Sequence, residues 1–292
     1  MIQNILKEKQ KLINHRLSSL LSTNLKEHEK LYNSMNYSLL AGGKRIRPFL
    51  FLAVLDTLGV DSEKYLDGAC ALECVHTYSL IHDDLPAMDN DDYRRGRLTN
   101  HKVYGAGMAT QAGDGLLTFA FQLLAEESEI PSDKRVQLIS ILSRAAGPEG
   151  MVGGQAQDME SENRRLSLKE LQLLDACKTG CLLQAPVGMA AVLADASEED
   201  RRALQDFALH LGLLFQITDD LLDAKGSLEE MGKMPGQDEK DHKSTFVTVL
   251  GTEKAQHYAE QEGSLAKDAL KRLSRESGLL CELTDFLLGR KK

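Results

Sequence analysis

Apolar residues recur at helical spacing along most of this chain. Near the amino terminus, Ile2, Ile5, Leu6, Ile13 and Leu17 fall mostly at three- and four-residue spacings, the period of one face of an α-helix. The sequence shows no sustained two-residue alternation and no Asn-Gly dipeptide of the kind that marks a hairpin, so we do not expect strands. The hydrophobic pattern therefore predicts an all-α protein.

Polar residues mark several helix starts. Ser167 with Glu170, and Ser197 with Asp200, have the spacing of a capping box and precede long apolar-periodic stretches. Pro48 follows the glycines of AGGKRIRP and is expected at the first position of a helix, where proline is favoured.

No linker rich in Ser, Gly or Pro divides the chain. The segments expected to be irregular are 85–99, 147–154 and 224–243. We therefore predict one all-α domain over residues 1–292. Such a domain would contain roughly ten or more helices and would be longer than most single domains.

Composition and charge limit the functional classes to which this chain can belong. The chain is 42% apolar with a net charge of −9, which describes a globular protein and argues against a nucleic-acid binder, since that needs a basic face. The start, MIQNILKEKQ, has no apolar signal core, and the densest apolar run, residues 49–55, is too short to span a bilayer. We expect a soluble, cytoplasmic protein without an integral membrane segment.

The five cysteines do not show a typical zinc spacing. Cys70 and Cys74, like Cys177 and Cys181, are four residues apart within apolar helical patterns, whereas paired zinc ligands usually have two residues between them. Buried free thiols are expected, and they suit a reducing compartment.

Aspartates are crowded at the end of two apolar runs. Residues 80–96, LIHDDLPAMDNDDYRRG, contain five aspartates within ten positions. Pro86 ends the preceding helix, which lets Asp89 fold back towards Asp83. Far along the chain, residues 215–223 read FQITDDLLD, where two of the three aspartates are four apart and share a helix face.

Two such clusters favour a hard cation. Carboxylates about 4 Å apart repel by roughly 4 kcal/mol at an effective dielectric near 20. No histidine or cysteine set accompanies them, and magnesium is commonly held by one or two carboxylates and shared with substrate phosphates. A calcium loop is excluded because the sixth position from Asp89 is Arg94 and the twelfth is Asn100. For either cluster taken alone, a solvated helix end is as good an interpretation as a metal site.

Cationic residues accompany both clusters. They are Lys44, Arg45 and Arg47 on the Gly-Gly loop, Arg94 and Arg95 after the first cluster, Lys178 in a helix, and Lys233 and Lys243 after the second cluster. Arginine binds phosphate bidentately and lysine binds it as a point charge, although each residue alone could be a solvated surface charge. No Walker-type, dinucleotide-binding or Gly-x-Ser-x-Gly motif is present. A diphosphate held through magnesium is the favoured interpretation.

Six motifs together resemble the trans-prenyltransferases, the polyprenyl diphosphate synthase family. They are GGKRIRP (42–48), DDLPAMD (83–89) with RRG (94–96), GGQAQD (153–158), KT (178–179), FQITDDLLD (215–223) and GK followed by KST (232–245). They occur in the family's order over nearly the whole chain, and the double aspartate motif with these companions is highly specific.

The resemblance implies an isoprenoid synthase fold with helices around a central apolar cavity, a homodimer, and Mg2+ as cofactor. It implies head-to-tail condensation of isopentenyl diphosphate with dimethylallyl or geranyl diphosphate. Magnesium would be bound by Asp83, Asp89 and Asp219, with Asp84, Asp220 and Asp223 ligating or supporting. These aspartates and Lys178 are the candidate catalytic residues.

The same resemblance assigns the substrate contacts. The allylic diphosphate would be held by Arg94, Lys178, Thr179, Gln216 and Lys233. Isopentenyl diphosphate would be held by Lys44, Arg47, His76 and Arg95. The basic end, Arg290 to Lys292, is a further candidate to close over the site, although a frayed terminus is the commoner role of such residues. No protein general base is expected, since the family passes the proton to the departed diphosphate.

Tyr78 bears on product length. It lies five residues before Asp83, about 7.5 Å along a helix at 1.5 Å per residue, where its ring can form the floor of a tail pocket; an ordinary core tyrosine is the alternative. With Pro86-Ala87 between the aspartates, this tyrosine is similar to the pattern of farnesyl (C15) synthases, and we expect (2E,6E)-farnesyl diphosphate as product.

Several alternatives stay open. They are a geranylgeranyl (C20) synthase, a non-catalytic partner subunit of a heteromeric synthase, and a surface-acidic binding protein. A terpene cyclase usually lacks the second aspartate motif and the GGKR loop, and a partner subunit tends to lose aspartates that this chain keeps.

Overall fold

Helices dominate the part of the chain that the computed structural model describes, residues 2–161, 164–225 and 244–290. The first are α1 Ile2–Leu20, α2 Glu29–Leu39, α3 Ile46–Thr57, α4 Leu66–Asp83, α5 Asn100–Tyr104, α6 Ala106–Glu126 and α7 Ser132–Ala146. They are followed by α8 Met151–Glu160, α9 Leu168–Asp175, α10 Cys181–Leu193, α11 Glu198–Lys225, α12 Phe246–Leu250, α13 Thr252–Leu270 and α14 Gly278–Leu288. The predicted all-α fold is confirmed.

Short turns complete the helical inventory of the described ranges. Lys26–His28 and Ser62–Tyr65 are single 3-10 turns, and Ala176–Gly180 forms a π turn between α9 and α10. The π geometry inserts one extra residue per turn and is frequent at functional sites. It falls on the Lys-Thr pair that the sequence singled out.

The expectation that the chain has no strands is wrong at one place in the described residues. Strand β1, Tyr93–Arg94, pairs antiparallel with β2, Arg97–Leu98. The two residues between them, Arg95 and Gly96, have φ of 55° and 73°, the left-handed geometry of a two-residue hairpin turn. The Arg-Gly pair that forms this turn is not the usual Asn-Gly.

Both predicted helix starts are confirmed, with the full capping box at α9 and one of its two reciprocal bonds at α11. At α9, the amide of Ser167 donates to the Glu170 carboxylate at 2.9 Å, and the amide of Glu170 donates back to the serine hydroxyl. At α11, the amide of Asp200 donates to the Ser197 hydroxyl at 3.1 Å. Pro48 is the third residue of α3 instead of the first, which still lies in the first turn, where no intrahelical donor is required.

The segment 147–154, expected to be irregular, is helical from Met151 onwards. Its glycines serve close packing here: a Cβ on Gly154 would lie 2.3 Å from the backbone nitrogen of Lys178. Helix α8 therefore packs directly on the π turn, and the glycine run marks that approach. Segment 85–99 is irregular as predicted apart from the strand pair, and residues 226–243 lie outside the described part of the chain.

The chain divides into two compact units. The first comprises Gln3–Leu52 and Ser62–Ile139, and the second comprises Ile2, Ala53–Asp61 and Ser140–Lys292. In the first unit α4 packs against α6, with Leu72 and Leu116 fully buried. In the second, α11 packs against α10 and α13, and Phe207, Leu211 and Leu214 bury one of its faces. A single domain with a central cavity stays a prediction.

All five cysteines are free. Cys70 and Cys74 are fully buried and the other three are half-buried. Burial is the first cause that raises the pKa of the Cys70 and Cys74 thiols well above their ordinary value, which keeps them protonated. The thiols are free as predicted, whereas the predicted burial holds for Cys70 and Cys74 but not for Cys177 and Cys181.

One stretch of the described residues, Leu168–Leu193, is long and apolar enough to cross a membrane by length and composition. It joins α9, the π turn and α10, and 61% of its most apolar window is buried inside the protein. A core helix passes the same test, so this stretch is weak evidence for a membrane span.

Candidate active site

The first aspartate cluster lies where α4 ends. The amide of Asp84 still donates to the carbonyl of Leu80 at 3.1 Å, and the turn that follows brings the amide of Asp89 within 2.9 Å of the Asp83 carbonyl. The chain therefore folds back as the position of Pro86 predicted. Asp83 is half-buried and Asp89 is exposed, so both carboxylates are accessible at this turn.

Asp84 is the buried member of the cluster, with 3% of its surface exposed. Arg94 donates to its Oδ1 from Nε at 2.9 Å and from Nη2 at 2.5 Å, and also reaches Asp91 at 3.3 Å. Burial raises the pKa of Asp84; the Arg94 charge opposes that shift, and Asp91 and Asp89 add to it. Asp84 thus serves as the counter-ion of Arg94 in this structure.

The Gly-Gly loop and the first turn of α3 carry three cations, of which two reach the surface. Gly42 and Gly43 have φ of 87° and 122°, conformations that favour glycine. Lys44 is exposed and Arg47 is half-buried. Arg45, by contrast, points into the core with its side chain 1% exposed and pairs with Glu73. The Arg45 guanidinium bonds inside the protein to Asn14, Glu73 and the carbonyl of Leu39, which distinguishes it from Lys44 and Arg47.

Helix α4 also carries His76, which is half-buried. Burial, then the charges of Arg47, Arg95, Arg45 and Arg94, lower its pKa well below the ordinary value. The imidazole is therefore neutral at physiological pH and can donate one N–H to an anion without carrying charge itself. Four guanidiniums close enough to act on it define a strongly positive environment.

Tyr78 lies between this environment and the first cluster along α4. It is 5% exposed, and its ring meets that of His82 edge-on at 5.5 Å between centroids. Burial raises the pKa of the phenol to about 12, with a contribution from Asp83 and Asp114. The side chain is thus a neutral, fixed ring one and a half turns before Asp83.

The second cluster lies on α11 in the second unit. Asp220 and Asp223 are buried, while the Asp219 side chain is 43% exposed. Asp220 accepts from the amide of Phe246 at 2.7 Å and from Gln216 Nε2 at 2.9 Å. It therefore ties α11 to the start of α12, and Asp219 is the accessible carboxylate of this helix face.

Arg290, at the end of the described chain, contacts this cluster. Its Nη2 donates to Asp219 Oδ1 at 2.6 Å and to the hydroxyl of Thr218 at 2.8 Å. Its guanidinium also lies 4.3 Å from the ring centroid of Phe215, and the side chain is 2% exposed. Lys291 and Lys292 lie outside the described residues.

The π turn positions Lys178 and Thr179. Lys178 Nζ lies 2.6 Å from Asp158 on α8, the final residue of the quoted GGQAQD motif. Thr179 donates to the side-chain carbonyl of Gln216 at 3.0 Å, and Gln216 in turn donates to Asp220. One hydrogen-bonded series thus joins the π turn, α11 and the start of α12.

The predicted residues divide between the two units. The first group contains Lys44, Arg47, His76, Tyr78, Asp83, Asp84, Asp89, Arg94 and Arg95, and the second contains Lys178, Thr179, Gln216, Asp219, Asp220 and Asp223. The expectations for Lys233 and Lys243 lie outside the described residues.

The sequence interpretation did not identify Glu73 or Asp158 as part of these groups. Glu73 is a lone acidic residue inside the apolar run ACALECV, and a charge in such a run has to be paired when the helix is buried. This isolated charge was the indication in the sequence that Glu73 forms a buried ion pair. The pairing of Asp158 with Lys178 has no comparable indication in the local sequence.

The donors available to a metal are carboxylate oxygens. Among the described residues, no three acidic, histidine or cysteine side chains converge into a complete ligand set. Magnesium does not require one, because it usually keeps several waters and takes one or two carboxylates together with substrate phosphates. The accessible pair Asp83 and Asp89 fits that mode of binding, and so does Asp219.

Comparisons with known proteins establish the family of this chain. Residues 28–278 match the polyprenyl synthetase family, and the chain belongs to that family, which confirms its resemblance to the trans-prenyltransferases. A farnesyl diphosphate synthase of Bacillus subtilis (strain 168) is 46% identical over 291 residues, 99% of this chain and 98% of the relative. One of Geobacillus stearothermophilus is 50% identical over 251 residues, 85% and 84% of the two chains.

A solved structure shares the fold. The geranyltransferase of Helicobacter pylori, crystallised in complex with magnesium and isoprenyl diphosphate, matches with a TM-score of 0.87 and 37% identity over 98% of this chain and 95% of its own. The all-α isoprenoid synthase fold implied by the sequence is thereby confirmed.

Proposed function

We propose that this protein condenses isopentenyl diphosphate head-to-tail with dimethylallyl or geranyl diphosphate and releases farnesyl diphosphate. The family membership and the two farnesyl diphosphate synthases among its relatives support this function. The observation that carries it is the turn in which the Asp89 amide bonds to the Asp83 carbonyl, since it places two accessible carboxylates beside a group of cationic residues.

Asp83, Asp89 and Asp219 would hold magnesium, with Asp84, Asp220 and Asp223 supporting them. When bound, magnesium neutralises the diphosphate and makes it a better leaving group. The structure favours a supporting role for Asp84 and Asp220. Both are buried and already accept hydrogen bonds, Asp84 from Arg94 and Asp220 from Gln216.

Arg94, Lys178, Thr179 and Gln216 would hold the allylic diphosphate, together with Lys233. Their present partners keep them oriented: Asp84 holds Arg94, and Asp158 holds Lys178. Cations fixed in this way stabilise the charge that develops on the leaving diphosphate without reorganising during the reaction.

Lys44, Arg47, His76 and Arg95 would hold isopentenyl diphosphate. The low pKa of His76 makes this residue a neutral donor among charged ones. It can therefore bond to a phosphate oxygen without adding to the repulsion between neighbouring guanidiniums.

The allylic cation left after ionisation has to be shielded from water. Cys74, Val75 and Ile81, near Tyr78 on α4, are buried and apolar, and the diphosphate end of the substrate would lie at Asp83. The isopentenyl double bond then attacks the cation, and the departed diphosphate takes the proton, so no side chain has to act as a base. We also propose a cytoplasmic homodimer, as the family implies.

A condensation assay tests the reaction. Purified protein is incubated with labelled isopentenyl diphosphate, Mg2+ and either allylic diphosphate, and acid-labile label is counted. We expect incorporation that requires both substrates and that EDTA abolishes; Asp83→Asn is the matched inactive variant. Absence of incorporation under all these conditions would contradict the proposal and favour a non-catalytic partner subunit.

A further inference from the structure

A buried carboxylate lies beneath the Gly-Gly loop. Glu73, on α4, is 1% exposed, and its Oε1 faces two guanidiniums: Arg45 Nη1 in direct contact and Arg95 Nη2 at 3.9 Å. Its Oε2 accepts no hydrogen bond from the described residues. The single carboxylate of Glu73 therefore lies near the guanidiniums of both Arg45 and Arg95. Packing of the core alone does not require this arrangement.

Arg45 fixes the loop from the inside. Besides Glu73 it bonds to the side-chain carbonyl of Asn14 at 2.9 Å and to the backbone carbonyl of Leu39 at 2.7 Å. Its φ is 53°, a conformation that costs energy in a non-glycine residue and persists only where surrounding contacts hold it. Helix α3 begins at the next residue, Ile46.

Arg95 fixes the same loop from the other side. Its Nη1 donates to the carbonyl of Gly42, and a Cβ on Gly43 would lie 2.6 Å from its guanidinium carbon. Gln10 adds a hydrogen bond to the carbonyl of Gly43 at 2.6 Å. The loop backbone is thus held on both carbonyls, and Glu73 lies 3.9 Å from the guanidinium that makes one of these contacts.

A buried ion pair is weak evidence for stability, because well-packed apolar residues of similar volume often serve a core equally well. What apolar residues cannot do is orient Arg95 and hold Arg45 in a left-handed conformation. We infer that Glu73 is a positioning residue that sets the geometry of the isopentenyl diphosphate subsite by holding Arg45 and Arg95.

This inference rests on the proposed function. Lys44 precedes Arg45 on the loop, and Arg47 lies two residues after it in the first turn of α3, so a shift at Arg45 is expected to displace both. Arg95 would itself contact the substrate. Glu73 touches none of the reacting groups and acts only through these cations, so its loss is expected to weaken one substrate and spare the other.

The test compares three variants. Glu73→Gln removes the charge and keeps the volume. Glu73→Leu combined with Arg45→Met replaces the pair by apolar residues. The matched control is Glu262→Gln, which removes a carboxylate that is 4% exposed and lies 2.7 Å from His210 Nδ1 in the second unit. The readouts are the thermal midpoint and the KM for each of the two substrates.

We expect Glu73→Gln to raise the KM for isopentenyl diphosphate by about tenfold, the lower end of the loss seen when a group that orients a metal-binding side chain is removed. The KM for the allylic diphosphate should stay near that of wild type. The apolar double variant should recover thermal stability without recovering the KM, and Glu262→Gln should show no selective change. Rescue of the KM by the apolar pair, or a parallel rise in both KM values, would overturn the inference.

These measurements distinguish a failure of the inference about Glu73 from a failure of the proposed function. If wild type turns over, the KM values decide on Glu73 alone. If wild type forms no product, the proposed function has failed, and calorimetry with inorganic pyrophosphate decides instead. Weaker pyrophosphate binding by the double variant than by Glu262→Gln would support positioning of a diphosphate-binding loop, and equal binding would overturn it.

Discussion

Arg290 Nη2 donates a hydrogen bond to Asp219 Oδ1 at 2.6 Å, and the arginine side chain is 2% exposed. The residue is held in place by the ring of Phe215 and the hydroxyl of Thr218. The accessible carboxylate of the second cluster therefore has a positive charge fixed against it. This charge competes with any cation that Asp219 binds.

Arg290→Gln should lower the magnesium concentration needed for half-maximal rate. The pair is partly exposed, so its attraction is about 1 kcal/mol or less, which corresponds to a shift of up to roughly fivefold. The rate is measured against free Mg2+ for wild type, Arg290→Gln and Arg290→Lys. The lysine variant keeps the charge and should behave like wild type, whereas a higher magnesium requirement in Arg290→Gln would contradict this reading.

Tyr78→Ala should lengthen the product. The tyrosine is buried one and a half turns before Asp83, and its removal opens space along the direction in which a tail anchored at the aspartates would grow. Chromatography of the dephosphorylated products should show C20 or longer alcohols. Tyr78→Phe keeps the ring and should keep the wild-type length; an unchanged product from a folded Tyr78→Ala would eliminate the floor role.

Asp83→Asn and Asp84→Asn should separate activity from stability. Asp83 is half-buried and Asp84 holds Arg94. Losing the Asp84 charge leaves that guanidinium without its main partner, at a cost of about 1–3 kcal/mol and about 2–4 °C in Tm for each kcal/mol. Asp83→Asn should instead abolish turnover with little change in Tm. Equal melting temperatures for the two variants would refute this division.

His76 should make stability depend on pH. Its pKa in the folded state is lowered, first by burial and then by Arg47, Arg95, Arg45 and Arg94, while the unfolded value is about 6.5. The unfolded state therefore binds more protons below that pH. The contribution of His76 to stability is present above about pH 6.5 and is lost as the pH falls towards the folded pKa.

Urea unfolding at pH 7 and pH 5 measures this dependence. The free energy of unfolding of wild type should fall between these values by about 1–2 kcal/mol more than that of His76→Asn. The variant provides the reference for all other titrating groups. Equal falls in the two proteins would show that His76 is not held neutral.

Local interactions were predictable from the sequence and distant pairings were not. The Ser167–Glu170 capping box depends on residues three apart, and it forms as predicted. The contact between Arg290 and Asp219 joins residues 71 positions apart, and no local pattern specifies it. Gly154 shows a second limit. Its segment, 147–154, was expected to be irregular, whereas Gly154 lies within a helix and its lack of a Cβ leaves room for the backbone of Lys178.

In the candidate site, too, local features were predictable from the sequence and distant pairings were not. The motifs identified the aspartates, and Pro86 predicted that the chain folds back to bring Asp89 to Asp83. They did not distinguish Arg45, which is buried against Glu73, from the accessible Lys44 beside it. Adjacent loop residues of the same charge take opposite directions, and only tertiary structure decides which one enters the core.

The length of the wild-type product is the most direct test of this account. Purified protein is supplied with Mg2+, labelled isopentenyl diphosphate and either dimethylallyl or geranyl diphosphate, and the products are dephosphorylated and sized. We predict a single C15 alcohol from both allylic substrates and none in the presence of chelator. A C20 or longer alcohol would contradict the assigned product and the role of Tyr78, and the absence of any alcohol would contradict the reaction itself.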